Sequence, residues 1–447
     1  MGIASRVLFG LFVVKFTGAF QFPTQRCRNV HTDLFSTVMS VERTAQREVG
    51  QFISWAAQSG VQQAEGFCLM DYVMDENEEY YAATSTGGSQ GSSVLYVPGE
   101  MILSASRIAQ ETQGYADDAL KLLQNNGMIH LSQQFLLFLQ VLLIYQQGDQ
   151  SPHFPWMSAL PRKWNTAVSM DKFCMSCLPP YIKSLCQEKR DQLDAFHLAL
   201  QEFQHISPEI KGNDDLMKFA YNVVFTRSFP SASDGDLKLI PMVDMINHGY
   251  PGNVELAYDE NGGCGVVLAR DVAPGEPLLL SYGEPSNPSR LLATYGFLSE
   301  SASTTNCKLM FKNPSQELLD VGYDPSRMLF ETATGAVSQE VWDALLYSRL
   351  EKKPELADAA RAFHQASISG DDQTKNAIHG QYFRHTCGAL MRHIDHILIE
   401  VHDLTVKMNA YDSSKHPRLP LLRRHHEMVT STFKKVKANV EQMMMQQ

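Results

Sequence analysis

Apolar and polar positions fall into distinct regimes along the chain. Over residues 41–66 apolar side chains keep near one helical face at Val49, Phe52, Ile53 and Ala56, and Gly60 and Gly66 follow. That spacing predicts an amphipathic helix. Residues 105–220 read as mostly helical. Within them 131–145 is apolar almost without a break, which predicts a helix buried on all sides and too short to span a membrane. Residues 217–229 are again mostly apolar and are expected to return the chain to a sheet.

Between Leu239 and Phe297 the apolar runs shorten, and Gly, Pro and Asn interrupt them every few residues. Residues 254–258 alternate and predict a strand. Asn261-Gly262-Gly263 predicts a turn and 265–269 the returning strand. Ala273-Pro274-Gly275-Glu276 predicts another turn, and 277–281 a short buried strand. Asn287 before Pro288 fits a helix start, with Leu291 and Leu292 turned inward and a stop near Gly296.

After 311 strand signals are lacking. Phe383, Cys387, Leu390, Ile394, Ile397, Val401, Leu404 and Met408 recur at alternating spacings of four and three. So do Leu422, His426, Val429, Phe433, Val436, Val440 and Met443. Two helical seams of this kind, joined through His416-Pro417-Arg418-Leu419-Pro420, predict an antiparallel pair.

Length and composition narrow the function classes. A chain of 447 residues has room for two or three domains. Its net charge of -11 argues against wholesale nucleic-acid binding, although the last predicted helix is basic. Eight cysteines in this length do not form a disulfide scaffold. Cys174-x-x-Cys177, with Cys186 nearby, has no second pair to complete a tetrahedral zinc site, and no metal is expected.

The polar residues Asp244, Asn247, His248 and Tyr282 stand at the ends of the short predicted strands, where a rigid scaffold can hold side chains for binding. Their order is strand, Asn-His, hairpin, Gly-Glu turn, Ser281-Tyr282-Gly283, Ser286-Asn287, helix, then Tyr295-Gly296-Phe297. Over this whole stretch the chain resembles the SET-domain protein methyltransferases, in the branch typified by the Rubisco large-subunit lysine N-methyltransferase. The resemblance implies an α+β chain: a SET-domain β-fold of short strands at 41–300, a helical insertion at about 105–220, and an all-helical substrate-binding domain at 301–447. Leu95-Tyr96-Val97-Pro98 resembles the family's early strand, and the loop at Ser151-Pro152-His153-Phe154-Pro155-Trp156 its landmark before Leu160-Pro161.

The same resemblance implies S-adenosyl-L-methionine as cofactor and a protein as substrate, lysine most readily and histidine as the alternative; a catalytically inactive SET-like binding module is the other reading. Tyr282 would be the catalytic tyrosine, facing the transferring methyl. Glu76, Arg227, Asn247, His248, Tyr282 and Phe297 would bind the cofactor, with Arg227 on its carboxylate and Glu76 on its ammonium. Asp244 and Tyr295 would line the substrate channel. In one place the chain departs from the pattern. The family's Gly-x-Gly-Leu turn lets the backbone approach the cofactor, and its two glycines fall on Asn77 and Glu79 here. Gly87-Gly88-Ser89-Gln90-Gly91 is the other glycine-rich segment and reads as a loop.

Residues 1–40 carry leader composition. Arg6 precedes an apolar run at 7–14, small residues follow at 17–19, and no acidic residue occurs before Asp33. Gly18-Ala19-Phe20-Gln21-Phe22-Pro23 is similar to the junction of bipartite leaders to plastids of secondary origin. Delivery to such a plastid is the expectation, with a secreted or a cytoplasmic protein as the alternative, and no membrane attachment in the mature form.

Overall fold

The computed structural model describes residues 47–74, 77–283, 288–299, 304–306 and 311–446. The leader at 1–40, Glu76, the helix cap at Asn287 and the apolar run at 308–310 lie outside the described residues.

The alternating stretches form strands where the pattern placed them. Val254–Tyr258 and Cys264–Leu268 pair antiparallel, and Cys264, Val266 and Leu268 point into the core. Between them Asp259 Oδ1 accepts the backbone N–H groups of Asn261 and Gly263, at 2.9 and 2.8 Å, which closes the turn. A Cβ at Gly263 would lie 2.4 Å from the Tyr96 hydroxyl, so any side chain there would displace the tyrosine. Ser93–Val97 and Gln62–Gln63 complete this four-stranded sheet. A long antiparallel hairpin, Phe67–Met74 with Asn77–Thr84, is bridged from Ala83 to Pro277, just ahead of the short strand Leu279–Leu280. A three-stranded sheet, Leu103–Ser104, Leu237–Leu239 and Ser228–Pro230, brackets the helical block.

That block buries Ser132–Gln147, whose Phe135 to Leu139, Val141, Leu142, Ile144 and Tyr145 are all buried. With its flanking turns this segment runs from Ile129 to Gln150 and is long and apolar enough to cross a membrane, so its length was underestimated from sequence. It is a core helix because the fold surrounds it. The segment expected as a return to the sheet is instead a helix, Asp214–Arg227. The Asn213 side chain accepts from Leu216 N at 3.0 Å, and Asp214 and Asp215 occupy its first turn, where carboxylates favour the helix dipole. Burial on nearly all sides erases the helical period from its sequence, leaving an apolar run that fits strand or helix. Only Ser228–Pro230, after it, is strand.

The C-terminal region has its own core. Helices Asp372–Asn409 and Leu419–Met445 pack together and bury the two predicted seams, with Cys387, Leu390, Ile394, Ile397 and Val401 facing Val429, Phe433, Val436 and Val440. Gln339–Leu350 and Ala357–Ser369 close the other side. The region is not wholly helical: Thr304–Asn306 pairs antiparallel with Leu329–Glu331.

Candidate active site

The site begins with a short parallel strand pair. Asn247–His248 runs beside Leu279–Leu280, with Leu279 opposite Asn247 and Leu280 opposite His248. Asn253, fully buried, locks the second strand: its carboxamide accepts from Leu279 N at 2.6 Å and donates to Pro277 O at 2.9 Å. Sequence reading missed this positioning residue, because an Asn after Gly-rich positions reads only as a turn. Two residues past Leu280, Tyr282 is tied twice to the first strand. Its backbone N–H donates to His248 Nδ1 at 3.1 Å and its hydroxyl donates to Ile246 O at 2.6 Å. Segments 34 positions apart thereby meet.

Helix Pro288–Tyr295 follows and ends at Gly296, whose φ of 78° turns the chain sharply. Here the backbone passes against the helical block: a Cβ at Gly296 would stand 2.5 Å from the carbonyl carbon of Asn165 and 2.7 Å from Thr166 N. The turn brings Tyr295 and Phe297 to the strand pair. Ring centroids of His248 and Tyr282 are 5.2 Å apart, those of His248 and Phe297 5.5 Å, and those of Tyr282 and Tyr295 5.0 Å. The Tyr295 hydroxyl donates to Tyr282 O at 3.4 Å, and burial pushes its pKa up.

These rings wall a cavity of about 370 Å³. Of the residues singled out from sequence, Arg227, Asn247, His248, Tyr282, Tyr295 and Phe297 all line it. Glu79, Lys163 and Trp164 line it too and were not anticipated as site residues. In the sequence Glu79 is an acid at a glycine position of the family pattern, and that misfit is its signal. The 87–91 loop does not line the cavity; it bridges to Val272 through Gly88.

Asp244 is brought near the site but not into the wall. It is buried behind Arg227, with Oδ2 accepting from Trp156 Nε1 at 2.9 Å and lying 3.9 Å from Arg227 Nη1. Arg227 Nη1 also donates to the Asp244 carbonyl. Asp244 therefore reaches the cavity through Arg227, and its expected contact with substrate is replaced by a role in holding that guanidinium. Desolvation pushes its carboxyl up to about 6, against the opposing pull of Arg227 and Trp156. His248 shifts the other way: burial lowers its pKa, which suits a neutral ring whose Nδ1 accepts a hydrogen bond. Its Nε2 and the Nε of Arg227 are buried without a protein partner.

Away from the cavity, Asp171, Cys174 and His416 bring three ligand-type atoms within 4.8 Å of one another. The aspartate is already engaged there, with Oδ1 capping Cys174 N at 2.7 Å and Oδ2 meeting His416 Nδ1 at 2.9 Å. Burial pushes the Cys174 thiol up to about 12, and Cys177 and Cys186 are buried as well.

No protein-family model matches the chain. Among curated proteins it is similar to an actin-histidine N-methyltransferase of Danio rerio, 23% identical over 288 residues. That match covers 59% of this chain and 45% of the other, so the chain spans less than half the length of the curated relative. Among solved structures the fold matches the SET domain of LSMT bound to lysine and AdoHcy, with a TM-score of 0.61 at 15% identity, over 89% of this chain and 92% of that one. It also matches Rubisco LSMT bound to sinefungin and monomethyllysine, with a TM-score of 0.58 at 13% identity, over 90% and 93%. The architecture is the SET-domain fold, α+β, with helices inserted among short strands and a mainly helical C-terminal region.

Proposed function

We propose that this chain is a protein N-methyltransferase that takes a methyl group from S-adenosyl-L-methionine and places it on a side-chain nitrogen of a protein, lysine foremost. One observation carries the reading: Asn247, His248, Tyr282, Tyr295 and Arg227, drawn from distant segments, converge on one cavity within the SET fold. Solved SET structures of this architecture hold AdoMet or AdoHcy, which supports the choice of donor.

The residues present fit that donor. Arg227 would hold its carboxylate, since a guanidinium suits a carboxylate and the Nε of Arg227 has no protein acceptor. His248 has an Nε2 without a protein partner and Asn247 a carboxamide on the same wall. A cavity of about 370 Å³ lies within the range of small-molecule sites. When bound, the donor supplies an electrophilic methyl on a sulfonium.

The remaining work falls to the chain. The Tyr282 hydroxyl commits its one proton to Ile246 O, so toward a ligand it acts as an acceptor and can orient an amine. The walls of Tyr282, Tyr295 and Phe297 are aromatic. Loss of water on entering the cavity disfavours an ammonium relative to the neutral amine, and a free lysine with a pKa of about 10.4 must shed its proton before attack. The same faces attract a sulfonium by roughly 1 kcal/mol. No metal enters this scheme.

Histidine is the second reading, favoured by the relative's name as an actin-histidine N-methyltransferase. The leader composition of residues 1–40 supports delivery to a plastid of secondary origin, where the protein substrate would reside.

Calorimetry of the full chain with S-adenosylmethionine tests the core of this reading, and absence of binding at millimolar donor defeats it. Labelled donor with a lysate, followed by mass spectrometry of the labelled peptide, reads out lysine or histidine. Tyr282→Phe is expected to slow transfer by roughly 100-fold or more while leaving donor affinity nearly unchanged. An unchanged rate removes Tyr282 from the mechanism.

A further inference from the structure

The arginine end of the cavity carries a carboxylate, Glu79, at a position where the family pattern has glycine. Glu79 lies on strand Asn77–Thr84 and lines the cavity with a side chain 26% exposed. Among the described residues its ion-pair partner is Arg47, whose Nη1 stands 3.6 Å from Glu79 Oε2. That separation is long for a charge-assisted hydrogen bond, which runs about 2.7–2.9 Å. Arg47 is moreover occupied elsewhere: its Nε donates to Ala159 O at 2.7 Å and its guanidinium lies over the Tyr80 ring at 4.8 Å.

The carboxylate is therefore only partly compensated. Burial raises its pKa above the ordinary 4.5, with the pull of Arg47 and then Arg227 working against that rise. Arg227 lines the same cavity, packs over the Trp164 ring at 5.5 Å, and keeps an Nε without a protein acceptor. A carboxylate and a guanidinium are thus presented to one small volume without an ion pair between them within 4.0 Å among the described residues.

We propose that Glu79 binds the α-ammonium of the donor's amino-acid group, while Arg227 takes its α-carboxylate, so that the two side chains clamp a zwitterion. This rests on the donor assignment made above. An α-amino acid carries both charges on one carbon, so it satisfies both walls at once. A ligand lacking the ammonium would leave Glu79 facing a carboxylate, and like charges in a partly buried site repel. Where the family pattern has glycine and lets the ligand rest against backbone, this chain provides a side chain instead.

Calorimetry on the full chain tests the clamp with three probes: S-adenosylhomocysteine, its analogue lacking the α-amino group, and 5′-methylthioadenosine, which lacks the amino-acid group altogether. Glu79→Gln is expected to weaken S-adenosylhomocysteine about tenfold to hundredfold, the range for a hydrogen bond to a charged group. The same substitution is expected to leave 5′-methylthioadenosine unchanged and to tighten or leave unchanged the deaminated analogue. An equal change for all three probes, no change, or tighter S-adenosylhomocysteine binding by Glu79→Gln overturns the clamp. If Glu79→Gln fails to fold, Glu79→Asp serves: it is expected to show the same selective loss to a smaller degree, and a loss that also falls on 5′-methylthioadenosine overturns the clamp. Wild-type protein that binds none of the probes defeats the donor assignment and the clamp with it. Wild-type protein that binds S-adenosylhomocysteine, beside a Glu79→Gln variant that binds it equally, defeats the clamp alone.

Discussion

Asp244→Asn should flatten the acid-range pH dependence of stability. Asp244 is buried, and its carboxyl is pushed from its ordinary 3.8 to about 6, chiefly by desolvation. The native state then holds this proton more tightly than the unfolded chain does. Stability from the bound proton is fully present below about 3.8 and is lost as pH rises through about 6. A difference of about two pH units corresponds to a change on the order of 3 kcal/mol, at about 1.4 kcal/mol per unit. Asparagine cannot ionise, so the variant lacks this term. Other titrating groups are shared by both proteins and cancel in the difference. Arg227 retains the carbonyl of residue 244 as acceptor in the variant. The assay is urea unfolding of both proteins at intervals from pH 4 to pH 7. The wild type is expected to lose a few kcal/mol relative to Asp244→Asn across that window. Parallel curves would mean that Asp244 stays ionised throughout, and the reasoning from its burial would be wrong.

Further outcomes follow from the same coordinates. The His248 imidazole is expected to titrate below its ordinary 6.5, because burial disfavours its cation and Nδ1 accepts from Tyr282 N. The stability contributed by the neutral ring is then present above pH 6.5 and lost as pH falls below it; a midpoint above 6.5 by NMR contradicts this. Gly296→Ala should destabilise by about 1–3 kcal/mol or more, since φ is 78° and the new Cβ meets the backbone of Asn165 and Thr166. A melting temperature within about a degree of wild type would argue against that contact. Leu390→Ala empties a fully buried position in the C-terminal core and should cost about 2–5 kcal/mol in denaturant unfolding. A cost under about 1 kcal/mol would mean that the seam is not packed as described.

What the sequence revealed depended on whether periodicity survived burial. The C-terminal seams were legible because one face of each helix stays wet, as with exposed His385 and His396 against buried Leu390 and Ile397. Helix Asp214–Arg227 was not, because its apolar residues surround it, although Asn213-Asp214-Asp215 marked its start. The polar groups at the strand ends are recognisable as a set, and three of the four, Asn247, His248 and Tyr282, share the cavity wall with Arg227, Tyr295 and Phe297. Lys163 and Trp164 cannot be read in advance: they come from a loop placed by contacts distant in sequence, among them the close approach of Gly296 to Asn165 and the hydrogen bond from Arg418 to Trp164 O. Asp244 was misjudged because one-dimensional order cannot tell a wall residue from one behind it, and here Trp156 and Arg227 cover the carboxylate.

The parallel pairing of Asn247–His248 with Leu279–Leu280 also bears on the order of assembly. A hairpin can zip from its turn, but a parallel ribbon this short has no local nucleus and needs its ends delivered by the rest of the fold. The long C-terminal helices, close in sequence, can associate early. Completion of the cavity wall would then be among the last steps when the full chain folds, and a chain stalled before it would hold paired C-terminal helices beside an unfinished cavity.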